Sequence, residues 1–397
     1  MKQGWTYKKL KEIGRTQTGT TPSKSVKSFY EGEIPFIRPA ELDIDGNGSI
    51  EYNSELKLTP EGALKSRKIS ANSILMCCIG SVGKTGYAIK DVTCNQQINT
   101  ITPYMGYNGR FVYYALIAPS FQNEVKKIAN SAKATWAIIS KGKWEEMSIP
   151  VPSLSEQQSI VDYLDLAFAQ IDELKSNAER QLAEARALFQ SALKEMLEPK
   201  DGWVEKTLKE ACSLITDGTH HSPPNDEKGK YKYITAKNIR IWGLDTSNIT
   251  YVSEEIHKEI IARCNPKKGD VLYIKDGATT GIAIVNPLEE EFSMLSSVAL
   301  IRPYKDVLSS EFLCYTLNSP SIYNQARNQM DGAAITRVTL VKIKGFVVSI
   351  PPIIEQQRIV TRLDSLKSKV DCLQENFTKI SQECDAMKQA LLRQIFE

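Results

Sequence analysis

Residues 80–86 read Gly-Ser-Val-Gly-Lys-Thr-Gly and follow the apolar run Ile-Leu-Met-Cys-Cys-Ile at 74–79. This composition suits a phosphate-binding loop after a strand. A Walker loop needs four residues between its first glycine and its Gly-Lys pair, so that successive backbone N–H groups wrap a phosphate. Only two residues separate Gly80 from Gly83, and the place of the first glycine is held by Cys78. A second copy of the turn, DGATTG at 276–281, has no lysine. The turn is therefore read as structural, and a P-loop NTPase is an alternative that the spacing speaks against.

Other chemistry is no better supported. No NPPF or DPPY tetrapeptide and no FxGxG stretch marks an adenine methyltransferase. His220 and His221 are adjacent, so their side chains diverge, and no other histidine lies near them in sequence. SPPNDEK at 222–228 lacks the spacing of paired acidic ligands around a nuclease lysine. The eight cysteines include no CxxC pair, which argues against zinc and for buried, reduced thiols in a cytoplasmic protein. Nothing assembles a nucleophile, a base and an oxyanion site. The expectation is a protein without catalysis, metal or cofactor of its own.

The elements that would hold any site are set by a repeat. VPSLSEQQSIVDYLD at 151–165 matches IPPIIEQQRIVTRLD at 350–364, and GWTYKKLKE at 4–12 matches GWVEKTLKE at 202–210. Looser pairing joins EIPFIRPAEL at 33–42 to KYKYITAKNI at 230–239. Each half-chain is a globular segment followed by a helical one. ILMCCIG at 74–80 and VLYIKDG at 271–277 read as short strands ending in glycine. Residues 111–129 and 311–327 have helical spacing.

In the second helical segment Leu363, Leu366, Val370, Leu373, Phe377, Ile380, Cys384, Met387 and Leu391 step by three and four. In the first, Leu164, Ala167, Ile171, Leu174, Ala178, Ala185, Leu188 and Ala192 keep that step, with Gln181 as the one break. Ser153 with Glu156 reads as a capping box, and Pro351-Pro352 opens the second helix. The predicted fold class is α+β. Two globular domains of mixed strands and helices (1–153 and 200–352) are separated by long helices at 154–199 and 353–397, which form an antiparallel coiled coil in a pseudo-twofold repeat.

Charge follows the same division. Residues 1–153 carry 20 basic against 13 acidic side chains, whereas 154–198 carry 4 against 9. A basic excess in a globular part suits a phosphate-bearing partner. No apolar stretch is long enough to span a bilayer, so no membrane partner is expected.

Two variable globular segments, each followed by a helix that opens with a proline turn and Glu-Gln-Gln, resemble the specificity subunit of type I restriction-modification enzymes. PVPSLSEQQSIV and SIPPIIEQQRIV resemble the family's signature at the head of each conserved helix. Residues 18–42 and DGTHHSPP at 217–224 resemble openings of its target-recognition domains. The resemblance implies a non-catalytic subunit whose two domains each read half of a split double-stranded DNA target, with the helices as a ruler. It implies two methylation subunits carrying S-adenosylmethionine, and two restriction subunits using ATP and Mg. Glu156, Gln157, Gln158, Glu355, Gln356 and Gln357 are then the expected partner-binding residues. For DNA the candidates are Thr20, Lys24, Arg38, Ser81, Lys84, Asn95 and Gln96 in the first half. Thr219, His220, Lys237, Lys275, Thr279, Thr280 and Arg337 are those of the second. Arginine can hold guanine, and asparagine or glutamine adenine, through two hydrogen bonds, while lysines mostly contact phosphates. The competing reading is a coiled-coil scaffold that joins two protein-binding domains and binds no DNA.

Overall fold

A computed structural model describes residues 4–42, 50–52, 56–131, 137–241, 243–330 and 337–397. The chain divides into two compact units, Met1–Ala178 with Thr378–Glu397, and Glu179–Phe377. Each is built on a four-stranded antiparallel sheet. In the first unit the strand order is Gly14–Thr18, Ile98–Pro103, Ile74–Cys77, Thr85–Tyr87. In the second it is Cys212–Asp217, Val298–Pro303, Val271–Ile274, Ala283–Val285. The registers correspond: Ile74 lies opposite Ile101, and Val271 opposite Ile301.

The uninterrupted apolar runs of the central strands follow from burial on both faces. Ile74, Met76 and Cys78 enter one core cluster while Leu75 and Cys77 enter another. Val271 and Tyr273 part from Leu272 and Ile274 in the same way. On one face lie helices Gly109–Ile117 and Pro119–Ser131, or Ser310–Leu317 and Pro320–Asn328. What the sequence suggests as one helix over 111–129 is therefore two. Pro119 disfavours helical backbone at Ala118, which is extended, and itself begins the next helix. The other face carries a small mixed sheet. In the first unit it comprises Lys57–Leu58, Ile34–Ile37, Val92–Cys94 and Lys68–Ile69; in the second, Thr250–Val252, Tyr231–Ile234 and Ser293–Met294.

A two-stranded ladder closes each globular segment on itself, Thr6–Lys9 against Ser148–Val151 and Val204–Thr207 against Val347–Ile350. Immediately afterwards the chain enters the long helices Leu154–Met196 and Ile353–Phe396. The hydroxyl of Ser153 accepts from the Glu156 amide, which is half of a capping box. The Glu156 carboxylate does not reach back to complete the box; it accepts a 2.8 Å hydrogen bond from the Trp5 indole.

The buried stripe of the first helix differs from the expected one. Leu174 and Leu188 are 56% and 71% exposed, whereas Leu182 is buried at 4%. The stripe runs through Leu164, Phe168, Ile171, Ala178, Leu182, Ala185, Phe189 and Leu193. It shares Leu164, Ile171, Ala178 and Ala185 with the expected seam but takes its other edge one residue later. That choice buries Phe168, Leu182 and Phe189 and leaves Gln181 in water, so the apparent break is an exposed position. In the second helix the stripe drifts after Cys384 to Lys388 and Leu392, leaving Met387 half exposed, as a 3.6-residue turn drifts against a seven-residue pattern.

Both units bury parts of both long helices. In the first, Leu392 and Phe396 join Trp5, Phe111 and Leu164 in one core, and the Phe396 ring packs at a tilt 5.5 Å from that of Phe111. Asp172 accepts from Lys388 and Asp385 from Lys175, at 2.5 and 3.3 Å, so the paired residues run in opposite senses. In the second unit Leu193 joins Leu363 and Phe312, and Arg186 hydrogen-bonds Gln374.

Candidate nucleic-acid interface

In the first unit, Gly80–Gly86 spans the turn between strands Ile74–Cys77 and Thr85–Tyr87, which are antiparallel. A Walker loop would feed a helix; here the chain returns as a strand. Gly80 and Gly83 have φ of +80° and +97°, and the turn is closed by the Cys77 amide donating to Lys84 O and the Gly83 amide to Cys77 O. Positive φ at both places accounts for the two glycines.

Three further loops meet this turn. The Lys84 ammonium lies 3.4 Å from Leu42 O, which braces the loop that begins at Arg38. The Cys78 amide donates to Gln97 O, and the Thr20 amide to Cys94 O. Thr21 donates to the side-chain oxygen of Gln96. Thr20, Arg38, Ser81, Lys84, Asn95 and Gln96 thus belong to one loop cluster at one end of the sheet. Ser81 and Gln96 are exposed within it. Arg38 is half-buried and ion-paired with Glu41, whose carboxylate also accepts from the Arg38 amide at 2.8 Å. Asn95 is 8% exposed, and its amide exchanges hydrogen bonds with Gln97. It shapes the loop and presents no free edge, unlike the base reader expected from its residue type. Lys24 is exposed on the preceding segment.

The second unit repeats the arrangement with charge at its centre. Lys275, expected to contact DNA, is 5% exposed. Its ammonium lies 3.4 Å from Asp217 and 3.3 Å from Asp276. Arg263 donates to the other oxygen of Asp217 at 2.8 Å and lies 2.7 Å from His220 Nε2. A buried aspartate takes these cations because removing its charge from water without partners costs several kcal/mol. The first unit has Thr18 and Cys78 at the corresponding places, and Thr18 donates instead to Asn99. Lys275 is therefore a latch between two strand ends. Thr280 is likewise buried, its hydroxyl donating to Gly277 O.

Around that latch, Thr219 is half-buried while His220, Lys237, Thr279 and Arg337 are exposed. The Lys275 amide donates to Ser297 O and the Ala236 amide to the Ser297 hydroxyl, which brings the Lys237 loop alongside. The Val338 amide donates to Lys275 O, which places Arg337 at the same rim. Arg263, on helix Glu254–Arg263, and Arg327, donating to Ala278 O, belong to the cluster although nothing in their sequence neighbourhoods marks them.

Of the expected partner-binding residues, Gln157 and Gln356 are buried. Gln157 donates to Pro152 O and accepts from the Asn108 amide; Gln356 donates to Pro351 O and accepts from the Ser309 amide. Each amide clamps the long helix to the start of a domain helix and has no free surface to offer. Gln158 and Gln357 are exposed, as is Glu156, while Glu355 is half-buried.

Burial pushes the thiols of Cys78, Cys94 and Cys264 up to about 12, so these three are poor nucleophiles; hydrogen bonds with Asn99 at Cys78 and nearby arginines at Cys94 and Cys264 do not offset it. Among the described residues, no group of three or more histidine, cysteine or acidic side chains is placed to hold a metal ion, and no helix is long and apolar enough to cross a membrane.

The model of the type I restriction modification DNA specificity domain matches the chain twice, at residues 2–184 and 200–382. The specificity subunit of the type I restriction enzyme EcoBI from Escherichia coli is 24% identical over 99% of this chain and 85% of its own length. That of EcoKI from E. coli K12 is 22% identical over 99% of this chain and 89% of its own. A chain of a solved structure concerned with assembly and conformational transition of the type I R-M system superposes with a TM-score of 0.76. It is 19% identical and covers 100% of this chain and 98% of its own.

Proposed function

Because the chain belongs to the family of type I restriction-modification DNA specificity proteins, we propose that it is the non-catalytic subunit that gives such a complex its DNA sequence specificity. Two target-recognition domains, 1–153 and 200–352, each read one half of a bipartite duplex target. The observation that carries this reading is the pair of loop clusters, one per unit, at the same end of the same sheet. Each offers exposed or half-buried polar and basic side chains on a braced frame. In the first these are Ser81, Gln96, Arg38 and Lys84; in the second His220, Lys237, Thr279, Arg263 and Arg337. Arginine, lysine and glutamine suit base edges and phosphates, and Lys275 and Asn95 hold the loops that present them.

The long helices are proposed as an antiparallel coiled coil in a pseudo-twofold repeat, which sets the spacing between the half-sites. The opposed pairing of Asp172 with Lys388 and of Lys175 with Asp385 supports that sense. Two methylation subunits that carry S-adenosylmethionine dock along the helices, and two restriction subunits that use ATP and Mg complete the assembly. Such a complex works in the cytoplasm.

A salt series of gel shifts on the chain assembled with its methylation partner tests the reading. Neutralising several phosphates makes affinity fall by orders of magnitude between low and moderate salt. No shift of duplex DNA even at the lowest salt would leave the scaffold reading in its place.

A further inference from the structure

The second unit contains a cavity of about 320 Å³ that the first unit fills with its own arginine. In the first unit the Arg110 guanidinium donates to Asp165 at 3.0 Å and to the Tyr114 hydroxyl at 3.3 Å. It lies 5.4, 5.1 and 5.0 Å from the ring centres of Tyr87, Tyr113 and Tyr114. Phe168 packs edge-on against Tyr114 and completes the enclosure.

Strand register and helix order give the matching positions in the second unit. Tyr87 lies opposite Ile74 as Val285 lies opposite Val271. Arg110, Tyr113 and Tyr114 correspond to Glu311, Cys314 and Tyr315 on helix Ser310–Leu317. Phe168 and Asp165 correspond to Lys367 and Asp364 in the matched openings of the long helices. The two groups that hold the guanidinium are kept, and Tyr315 donates to Asp364 at 2.6 Å just as Tyr114 donates to Asp165. The groups that occupy the space are gone: the arginine is a glutamate, two tyrosines are valine and cysteine, and the phenylalanine is a lysine. All of these replacements line the cavity.

The lining suits one kind of group. Glu311 and Asp364 supply two carboxylates, and the Tyr315 ring supplies a face beside them. Lys367 also lines the cavity, but its ammonium is turned one helical turn on, 3.7 Å from Asp371. Ile241, Leu244 and Val285 form an apolar wall along which a methylene stem could lie. A planar guanidinium paired with a carboxylate and stacked on an aromatic ring matches this lining better than a compact ammonium. Phosphates of DNA are repelled by it. A second trough, of about 360 Å³, shares Asp364 and Lys367 and continues along the second long helix past Ser368, Asp371 and Glu375. An anchoring hole that opens into an acidic trough fits an extended peptide segment.

We propose that this cavity receives an arginine side chain from a protein partner, whose segment lies along residues 364–375 of the helix. The site goes beyond DNA reading and stands or falls without it. The test uses the full free chain and N-acetyl-arginine amide, followed by amide NMR. Saturable shifts are expected at Glu311, Cys314, Tyr315 and Asn318, with binding about tenfold weaker for the uncharged citrulline analogue. Glu311→Gln should weaken binding several-fold, and Glu311→Arg, which rebuilds the first unit's arrangement, should abolish it. Absence of saturable shifts, equal binding of citrulline, or unchanged binding to Glu311→Arg overturns the site. In the complex assembled with its protein partners the same residues should no longer respond to the probe. A response that persists there overturns the assignment to a protein segment and leaves a site for a free cation.

Discussion

A glutamine amide buried at the head of each long helix ties the preceding proline carbonyl to the start of a domain helix, and its removal leaves an amide and a carbonyl without that partner. Gln356 accepts from the Ser309 amide and donates to Val307 O and Pro351 O. Replacing Gln356 or Gln157 with alanine should destabilise the fold by about 1–3 kcal/mol. Gln158→Ala and Gln357→Ala, at exposed positions, should change it by less than about 0.5 kcal/mol. Denaturant titration of the four variants checks the contrast. A similar argument applies to Lys275, whose loss leaves Asp217 with Arg263 as its cationic partner and the His220 ring beside it. Lys275→Met should cost about 3 kcal/mol, and adding Asp217→Asn should recover part of it, because a buried charge without its partner is worse than no pair. Melting of the single and double variants would show this; equal loss in both would mean that the ion pair is not what holds the loops. Residue type alone ranked Lys275 and Asn95 among the DNA contacts. What it lacked was burial, which turns a reader into a brace.

At the scale of elements, the repeated motifs marked the strands, the paired openings and the long helices. They also placed Leu154–Met196 and Ile353–Phe396 within a few residues of their ends. The buried stripe was less legible. Ala178 and Ala185 serve either of two neighbouring stripes, and only packing decides between Leu174 and Lys175 or between Gln181 and Leu182 as the edge. Arg263 and Arg327 were not legible at all, since strands and helices distant in sequence bring them to the loops. The ruler role proposed for the helices yields a prediction of its own. Inserting one heptad into each helix lengthens the pair by ~10 Å, about three base pairs, which faces a reader onto the wrong groove. Inserting 21 residues adds ~31 Å, about nine base pairs, close to one turn of DNA. Suitable places are after Ala178 and Phe377, where one compact unit gives way to the other. Recognition should fail with 7 and return with 21, with both half-sites unchanged and the gap wider by about nine to ten base pairs. A gap that keeps its original length would show that the helices do not set it.

For the whole molecule, one sheet order occurs twice with different side chains at its loop end. The first unit centres its loops on neutral Thr18, Cys78 and Asn99, the second on Asp217 and Lys275. Unlike surfaces on like frames should read unlike sequences, each block carrying its own half-site. Selection of bound duplexes from a fully randomised library, with the chain assembled with its methylation partner, measures this most directly. The account predicts two different short motifs separated by a gap of fixed length and no sequence preference. Exchange of residues 1–153 for those of a relative should change one motif and leave the other and the gap alone. A continuous motif, a strictly palindromic one, or a change in both halves after that exchange would contradict it.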